Sequence, residues 1–285
     1  MKRFITVLPT ILTAGSLHAA LSVNPTSLYT FDTGNGTADA RATLNLTTAG
    51  TLTEVLFGSG VDTSPAGNIF KGPANSANTG TTSDLTQPGT GDFPLSFRYK
   101  AGSALPTTYT HLLWQGGLWA GDSNYSGYTF QYNAAGTVGL YVGNLPQTSR
   151  PVAISTATMT TNAWNNLAMV RSGTSLTLYL NGVAYSTTLP SDFNIAVNNA
   201  GNQWYREFSI GKSPTGYGGI AGSVIDDVGV WKGAALTAGD IAQIYNNGAG
   251  ASIASLIAVP EPSLYGLPGA GALAGAALVR RRRKV

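Results

Sequence analysis

Along residues 94–100 apolar and polar positions alternate strictly. Leu95, Phe97 and Tyr99 fall on one side and Ser96, Arg98 and Lys100 on the other, the period of a strand with one buried and one wet face. Stretches 128–132 and 137–142 flank Asn133-Ala134-Ala135-Gly136, which reads as a four-residue hairpin loop closed by glycine. Three further strands are predicted at 164–171, 175–180 and 183–189, joined by Ser172-Gly173-Thr174 and by Asn181-Gly182. Asn-Gly accommodates the two positive φ angles of a type I′ turn, whose twist matches the strands it connects. Strands at 207–211 and 223–231 follow, and then one helix over 237–246. Its signals are Thr237 as cap with Asp240 three residues on, an apolar face of Ile241, Ile244 and Tyr245, and Gly248 at the left-handed stop. Short strands separated by Gly and Asn turns predict an all-β, two-sheet antiparallel sandwich with one short helix rather than a parallel α/β sheet. Residues 49–90, rich in Gly, Ser, Thr, Asn and Pro, read as loops around one or two edge strands.

Two apolar stretches stand apart from this pattern, one at each end. Lys2 and Arg3 precede an apolar run over 4–17 and the small residues Ala19 and Ala20, the layout of a secretory signal peptide (1–20) cut after Ala19 or Ala20. At the other end Pro260-Glu261-Pro262 is followed by a mostly apolar run over 264–279 and then Arg280, Arg281, Arg282, Arg283 and Lys284. As a helix that run spans about 24 Å, short of the roughly 30 Å hydrocarbon core, so it is a marginal membrane segment. The cations hold its end on the cytoplasmic side. Residues 260–285 resemble the PEP-CTERM sorting signal of Gram-negative bacteria. The resemblance implies an exported protein of the cell envelope, outer surface or extracellular matrix, processed by an exosortase-type membrane enzyme. Removal, replacement by another anchor and retention of the tail all stay open.

Removing the two ends reverses the apparent charge. Seven of the 16 basic residues lie in them, leaving 9 against 12 acidic residues once Glu261 is set aside, so the pI of about 9.1 is no argument for a nucleic-acid partner. The absence of cysteine excludes disulfides, thiolate chemistry and cysteine-bound metals. After the signal peptide, His111 is the chain's one imidazole.

The runs Trp164-Asn165-Asn166-Leu167-Ala168-Met169-Val170-Arg171 and Leu176-Thr177-Leu178-Tyr179-Leu180-Asn181-Gly182-Val183 resemble the central hairpin of LamG-like, concanavalin A-type jelly rolls. Ser209-Ile210-Gly211, then Gly222-Ser223-Val224-Ile225-Asp226-Asp227-Val228-Gly229-Val230-Trp231 and Ala235-Leu236-Thr237, is similar to the family's closing segment. Tyr29-Thr30-Phe31-Asp32 is similar to its opening strand. The resemblance implies one jelly-roll domain over 21–252, a linker over 253–259, and framework roles in the core for Trp164 and Trp231.

What chemistry this chain performs is read from its carboxylates and aromatics. The glycosidases of this fold need two acidic side chains flanking the scissile bond. Glu54, Glu207 and Glu261 are far apart in sequence, and the Glu-x-Asp-x-x-Glu pattern of the fold's glucanases does not occur. On a regular strand Asp226 and Asp227 point to opposite faces. His111 is the sole candidate base for a serine nucleophile, and its strand-like setting suits a structural role. These observations lead to the expectation of a protein that is not an enzyme, with a glycoside hydrolase as the third reading. Asp32, Asp226 and Asp227 offer hard oxygen ligands for Ca²⁺, which some members of the resembling family hold. The alternative is that Asp226 or Asp227 hydrogen-bonds backbone at a sheet corner. Sugar binding by such folds uses exposed aromatic faces, and Trp119, Tyr125, Trp204 and Tyr217 lie in loop-like stretches suited to it. They equally suit clipping loops onto the sandwich. The expected function is therefore polysaccharide binding by an exported protein. The rival reading is a structural or adhesive matrix protein that binds protein or no specific ligand.

Overall fold

The computed structural model describes residues 20–31, 38, 40–41, 45, 47–49, 61–62, 69–71, 88–116, 118–119, 124–125, 127–143, 152–195, 208–211, 222–246 and 252–257. The stretches read as a signal peptide and as a sorting tail, and most of 49–90, lie outside them. Among the described residues no helix is long and apolar enough to cross a membrane.

Two antiparallel sheets of seven strands each make a jelly-roll sandwich. The first sheet orders β1 (Ser27–Tyr29), β16 (Val224–Val230), β5 (Phe93–Lys100), β12 (Trp164–Ser172), β13 (Ser175–Leu180) and β14 (Val183–Thr188), with β3 (Val61–Asp62) also on β16. The second orders β11 (Val152–Thr158), β10 (Thr137–Gly143), β9 (Gly127–Asn133), β6 (Tyr109–Gln115), β15 (Phe208–Ile210), β4 (Ile69–Lys71) and β2 (Thr47–Ala49). A two-stranded ribbon of β7 (Leu118–Trp119) and β8 (Asn124–Tyr125) lies beside β9 and β10. Residues 49–90 thus contribute β3 at a sheet edge and β4 inside the second sheet, between β15 and β2.

The alternation of β5 and β9 becomes the core. Phe93 meets Tyr128 at 5.9 Å, Phe97 meets Phe130 edge-on at 5.0 Å, and Tyr99 meets Tyr132 at 6.1 Å, a ladder of rings joining the sheets. Each pair adds about 0.5–1.5 kcal/mol beyond the burial of its rings. Asn181 and Gly182 adopt φ of 52° and 78°, as the hairpin turn requires. Asn181 also braces β12, accepting from the Asn166 amide at 2.8 Å and donating to Asn165 Oδ1 at 3.0 Å.

The expectation of a wet outer face on β5 is corrected. A second apolar layer covers the first sheet, in which Leu28, Ala168, Val170 and Trp231 pack under α1 (Ala238–Tyr245) and α2 (Ile253–Leu256). Ser96 is accordingly buried. α1 carries the predicted capping box, with Asp240 N–H donating to Thr237 Oγ1 at 3.1 Å and Thr237 N–H to Asp240 Oδ2 at 2.8 Å. Its left-handed stop is Asn246, φ 45°, rather than Gly248, which lies outside the described residues. α2 falls within the stretch read as a linker. Ile253 and Leu256 are both 1% exposed, and the backbone at Gly229 leaves room for Ile253, since a Cβ there would lie 2.9 Å from its Cδ1. Residues 253–256 therefore belong to the folded body.

Residues 21–23 are strapped to this layer. Leu21 N–H donates to the Leu256 carbonyl at 2.9 Å, and Ser22 donates to Asp240 through its amide and its hydroxyl, both at 2.7 Å. Trp231 Nε1 donates to Val23 O at 3.1 Å. Burial alone would raise the Asp240 pKa, but the hydrogen bonds from Ser22 and Thr237 outweigh it and hold the carboxyl below its ordinary value.

Candidate functional site

The outer face of the second sheet is set by β9 and β10, whose Tyr128, Phe130, Tyr132, Val138, Leu140 and Val142 turn inward. Thr129, Gln131, Gly139 and Tyr141 therefore face outward. In β6 a bulge between His111 and Leu113 inserts Leu112. His111 opposite Gln131 and Trp114 opposite Thr129 consequently share the outer face although they are three residues apart. Ser209 joins them from β15, directly opposite Trp114.

The hydrogen bonding fixes the state of the histidine. Thr129 Oγ1 donates to the Leu113 carbonyl at 3.1 Å, so at 2.7 Å it accepts from His111 Nδ1–H. The imidazole is thus the Nδ1–H tautomer. Burial lowers its pKa to about 3, so it is neutral at physiological pH. In that tautomer Nε2 is the basic nitrogen, and burial makes it a weak base. Its ring stands edge-on to Trp114 at 4.7 Å and to Tyr109 at 5.5 Å. Beside it, Trp114 Nε1 and Ser209 Oγ are buried without hydrogen-bond partners, while Gln131 and Tyr141 are part-exposed. His111, Trp114 and Ser209 are 3%, 3% and 0% exposed, so Gln131 and Tyr141 are the residues of this group that reach solvent, and these described residues carry no formal charge.

A second cluster lies on the outer face of the first sheet. Asp226 sits opposite Arg98, and between Asp226 and Gly229 the β16 ladder slips by one residue. Asp227 is the bulged residue, with φ 49° in the left-handed region that Asp tolerates. The expectation that the two aspartates point to opposite faces is therefore corrected. Arg98 Nη1 is 3.8 Å from Asp226 Oδ2 and 4.0 Å from Asp227 Oδ2, so both carboxylates reach one guanidinium. Asp226 Oδ1 accepts the Asp227 amide at 2.9 Å, Ser252 Oγ donates to Asp227 Oδ1 at 3.3 Å, and Arg98 lies 4.7 Å over the ring of Trp164. Trp231 is buried as the resemblance implied, but Trp164 is part-exposed beneath Arg98.

Calcium takes six to eight oxygens. Here it would find two carboxylates and a cation within 4.0 Å of both. Among the described residues no group of three acidic, His or Cys side chains is placed to hold a metal. These residues by themselves do not fit a calcium ion, and Asp32 lies outside the described residues. So do Trp204 and Tyr217. Trp119 and Tyr125 are described only as backbone, in β7 and β8, where their register partners are Asn124 and Leu118 respectively. The face built by His111, Trp114, Gln131, Tyr141 and Ser209 was not singled out from the sequence. Alternation in 127–143 marks half of it, and the bulge at Leu112 conceals the rest.

Residues 72–242 match a laminin G-type family model described as "Concanavalin A-like lectin/glucanases superfamily". No curated protein matches the chain. Among solved structures, Trypanosoma rangeli sialidase in complex with the inhibitor DANA is 12% identical, with a TM-score of 0.53 over 77% of this chain and 32% of that one. The same sialidase as a covalent intermediate with 2,3-difluorosialic acid is 15% identical, with a TM-score of 0.54 over 78% of this chain and 33% of that one. A botulinum neurotoxin type C, in a structure whose subject is cell entry through two ganglioside molecules, is 12% identical, with a TM-score of 0.51 over 73% and 48% of the two chains. This chain thus matches about a third of the sialidase chains, and the likeness is one of fold. The expectation of a protein that is not an enzyme is overturned by these matches. The fold occurs within hydrolase chains, so missing glutamate pairs do not exclude hydrolysis.

Proposed function

The chain belongs to the concanavalin A-like lectin/glucanases superfamily, and on that premise we propose that it is an exported cell-envelope or matrix protein that binds polysaccharide on the outer face of its second sheet. The observation that carries this reading is the adjacent pair of buried, unpartnered donors, Trp114 Nε1 and Ser209 Oγ, beside part-exposed Gln131 and Tyr141. Both donors are closed to solvent, so a sugar reaches them when the groups over them move aside, its ring hydroxyls then meeting the donors and its apolar face the aromatic rings. Trp119 and Tyr125, on the ribbon beside this face, are the stacking candidates at its rim, with Trp204 and Tyr217 as further ones. The absence of formal charge among the described side chains of this face favours a neutral glycan.

Export rests on the signal-like residues 1–20, and sorting rests on Pro260-Glu261-Pro262 with the apolar run and Arg280 to Arg283. An exosortase-type enzyme is the partner this tail implies. Mass spectrometry of the protein recovered from its cells tests that part. An intact terminus from Arg280 to Val285 counts against cleavage.

Glycan-array binding tests the site, with reducing-sugar release measured on the same glycans. Trp114→Phe with Ser209→Ala removes both donors while keeping the bulk of the ring, and is expected to weaken retention at least tenfold. Unchanged retention by the folded variant removes this face from the reading. No retention by the folded wild type transfers the protein to the structural or adhesive class. Turnover lost in the same variant makes the face an active site.

A further inference from the structure

The two ends of the folded body meet on one side of it. Leu21 N–H is hydrogen-bonded to the carbonyl of Leu256, and Ile253 and Leu256 are buried in the layer that covers the outer face of the first sheet. The chain therefore leaves the domain from that layer, on the side opposite the outer face of the second sheet. Only six residues, and so seven Cα–Cα steps, separate Ile257 from Leu264, where the apolar segment begins. Fully extended they reach at most about 25 Å. A domain of this length is about 45 Å across.

With the tail in a bilayer, that reach is too short to bring the opposite face of the domain to the membrane. From this geometry, and resting on the reading of 264–284 as a membrane segment, we infer that the α1/α2 layer is the membrane-facing side of the domain. The outer face of the second sheet, with Gln131 and Tyr141 at its surface, lies away from the bilayer. The surface of the helical layer suits this placement. Ala238, Gly239, Ala242, Ala254 and Ser255 are its exposed positions, all small and uncharged, and the one acid of α1, Asp240, is buried. Nothing on these two helices loses a hydrated charge on approaching headgroups.

The absence of cysteine allows single-cysteine labelling without background. The full chain carrying Ala242→Cys or Ala254→Cys on the helices, or Ala153→Cys or Ser155→Cys on the outer face of β11, is labelled with a small fluorophore. Each protein is reconstituted into phosphatidylcholine–phosphatidylglycerol vesicles containing a headgroup nitroxide lipid. All four positions are exposed, so labelling leaves the core intact, and the two pairs give independent readings. Quenching on the helices is expected to exceed that on β11 at least threefold. Inserting 20 Gly/Ser residues after Ile257 adds about 70 Å of reach and is expected to erase the contrast. Equal or reversed quenching in the original chain overturns the orientation. Failure of the chain to float with vesicles overturns the membrane reading of the tail, and the orientation falls with it. Neither outcome bears on glycan binding, which is read separately on the array.

Discussion

Replacing Arg98 by Met tests whether the paired aspartates of β16 are held as part of the scaffold. The guanidinium lies 3.8 Å and 4.0 Å from two carboxylates whose side chains are 4% and 5% exposed, and it is itself 11% exposed. At an effective dielectric constant of about 20, each pair is worth about 4 kcal/mol of Coulomb attraction. Desolvation of the three groups cancels a large part of that gain. Both separations also exceed direct N–H···O distances, so the attraction comes without strong hydrogen bonds. Removing the cation from buried partners typically costs about 3–5 kcal/mol. The long contacts place Arg98→Met at the lower end, about 3–4 kcal/mol, including its stacking on Trp164. For a domain of this size that corresponds to a fall in Tm of about 6–16 °C. Pairing Arg98→Met with Asp227→Asn in a double-mutant cycle is expected to recover at least about 1.5 kcal/mol of the loss. A single-mutant cost below about 1 kcal/mol, or strict additivity in the cycle, would refute the reasoning.

Three further outcomes follow from the same structure. The His111 pKa is about 3 when folded against about 6.5 unfolded, so its contribution to stability is complete above pH 6.5 and is lost as pH falls toward 3, at about 1.4 kcal/mol per unit. Urea melts from pH 7 to 4.5 should show this slope, and His111→Gln should flatten it; an unchanged slope in the variant would remove His111 as its cause. Ile253→Ala, emptying the space over Gly229, is expected to cost about 2–4 kcal/mol by thermal melting, whereas a linker residue there would cost almost nothing. EDTA is expected to leave the melting temperature unchanged, and a rise of several degrees with millimolar Ca²⁺ would show that Asp32 and its neighbours complete a site the described residues do not.

Much of the sandwich was legible because its strands obey a local rule. The alternation of 94–100, 128–132 and 137–142, and the positive φ demanded at Asn181-Gly182, depend on neighbouring residues alone, and the structure places strands and turn there. The outer layer was not legible in this way. Ser96 and Arg98 read as solvent-facing because nothing in 94–100 reports the apolar layer over Ser96 or the two aspartates and Trp164 around Arg98. α2 has four residues, too few for a period, and only the spacing of Ile253 and Leu256 distinguishes it from the Gly- and Ala-rich stretch before it.

Asp226, Asp227 and His111 were singled out, but the arrangement of both chemical clusters escaped for one shared reason, a single inserted residue in a strand. Leu112 shifts β6 so that His111 and Trp114 face the same way, and Asp227 shifts β16 so that two adjacent carboxylates reach one arginine. A bulge is defined against the partner strand, where two residues stand opposite one. Its position is therefore a property of the pairing rather than of either sequence segment. Period-two reasoning assigns the wrong face to one side of every such insertion, and here those are the faces on which polar groups gather. Turn residues and core ladders announce the fold from within each strand, while the candidate site depends on register between β6 and β9, separated in sequence by the β7–β8 ribbon.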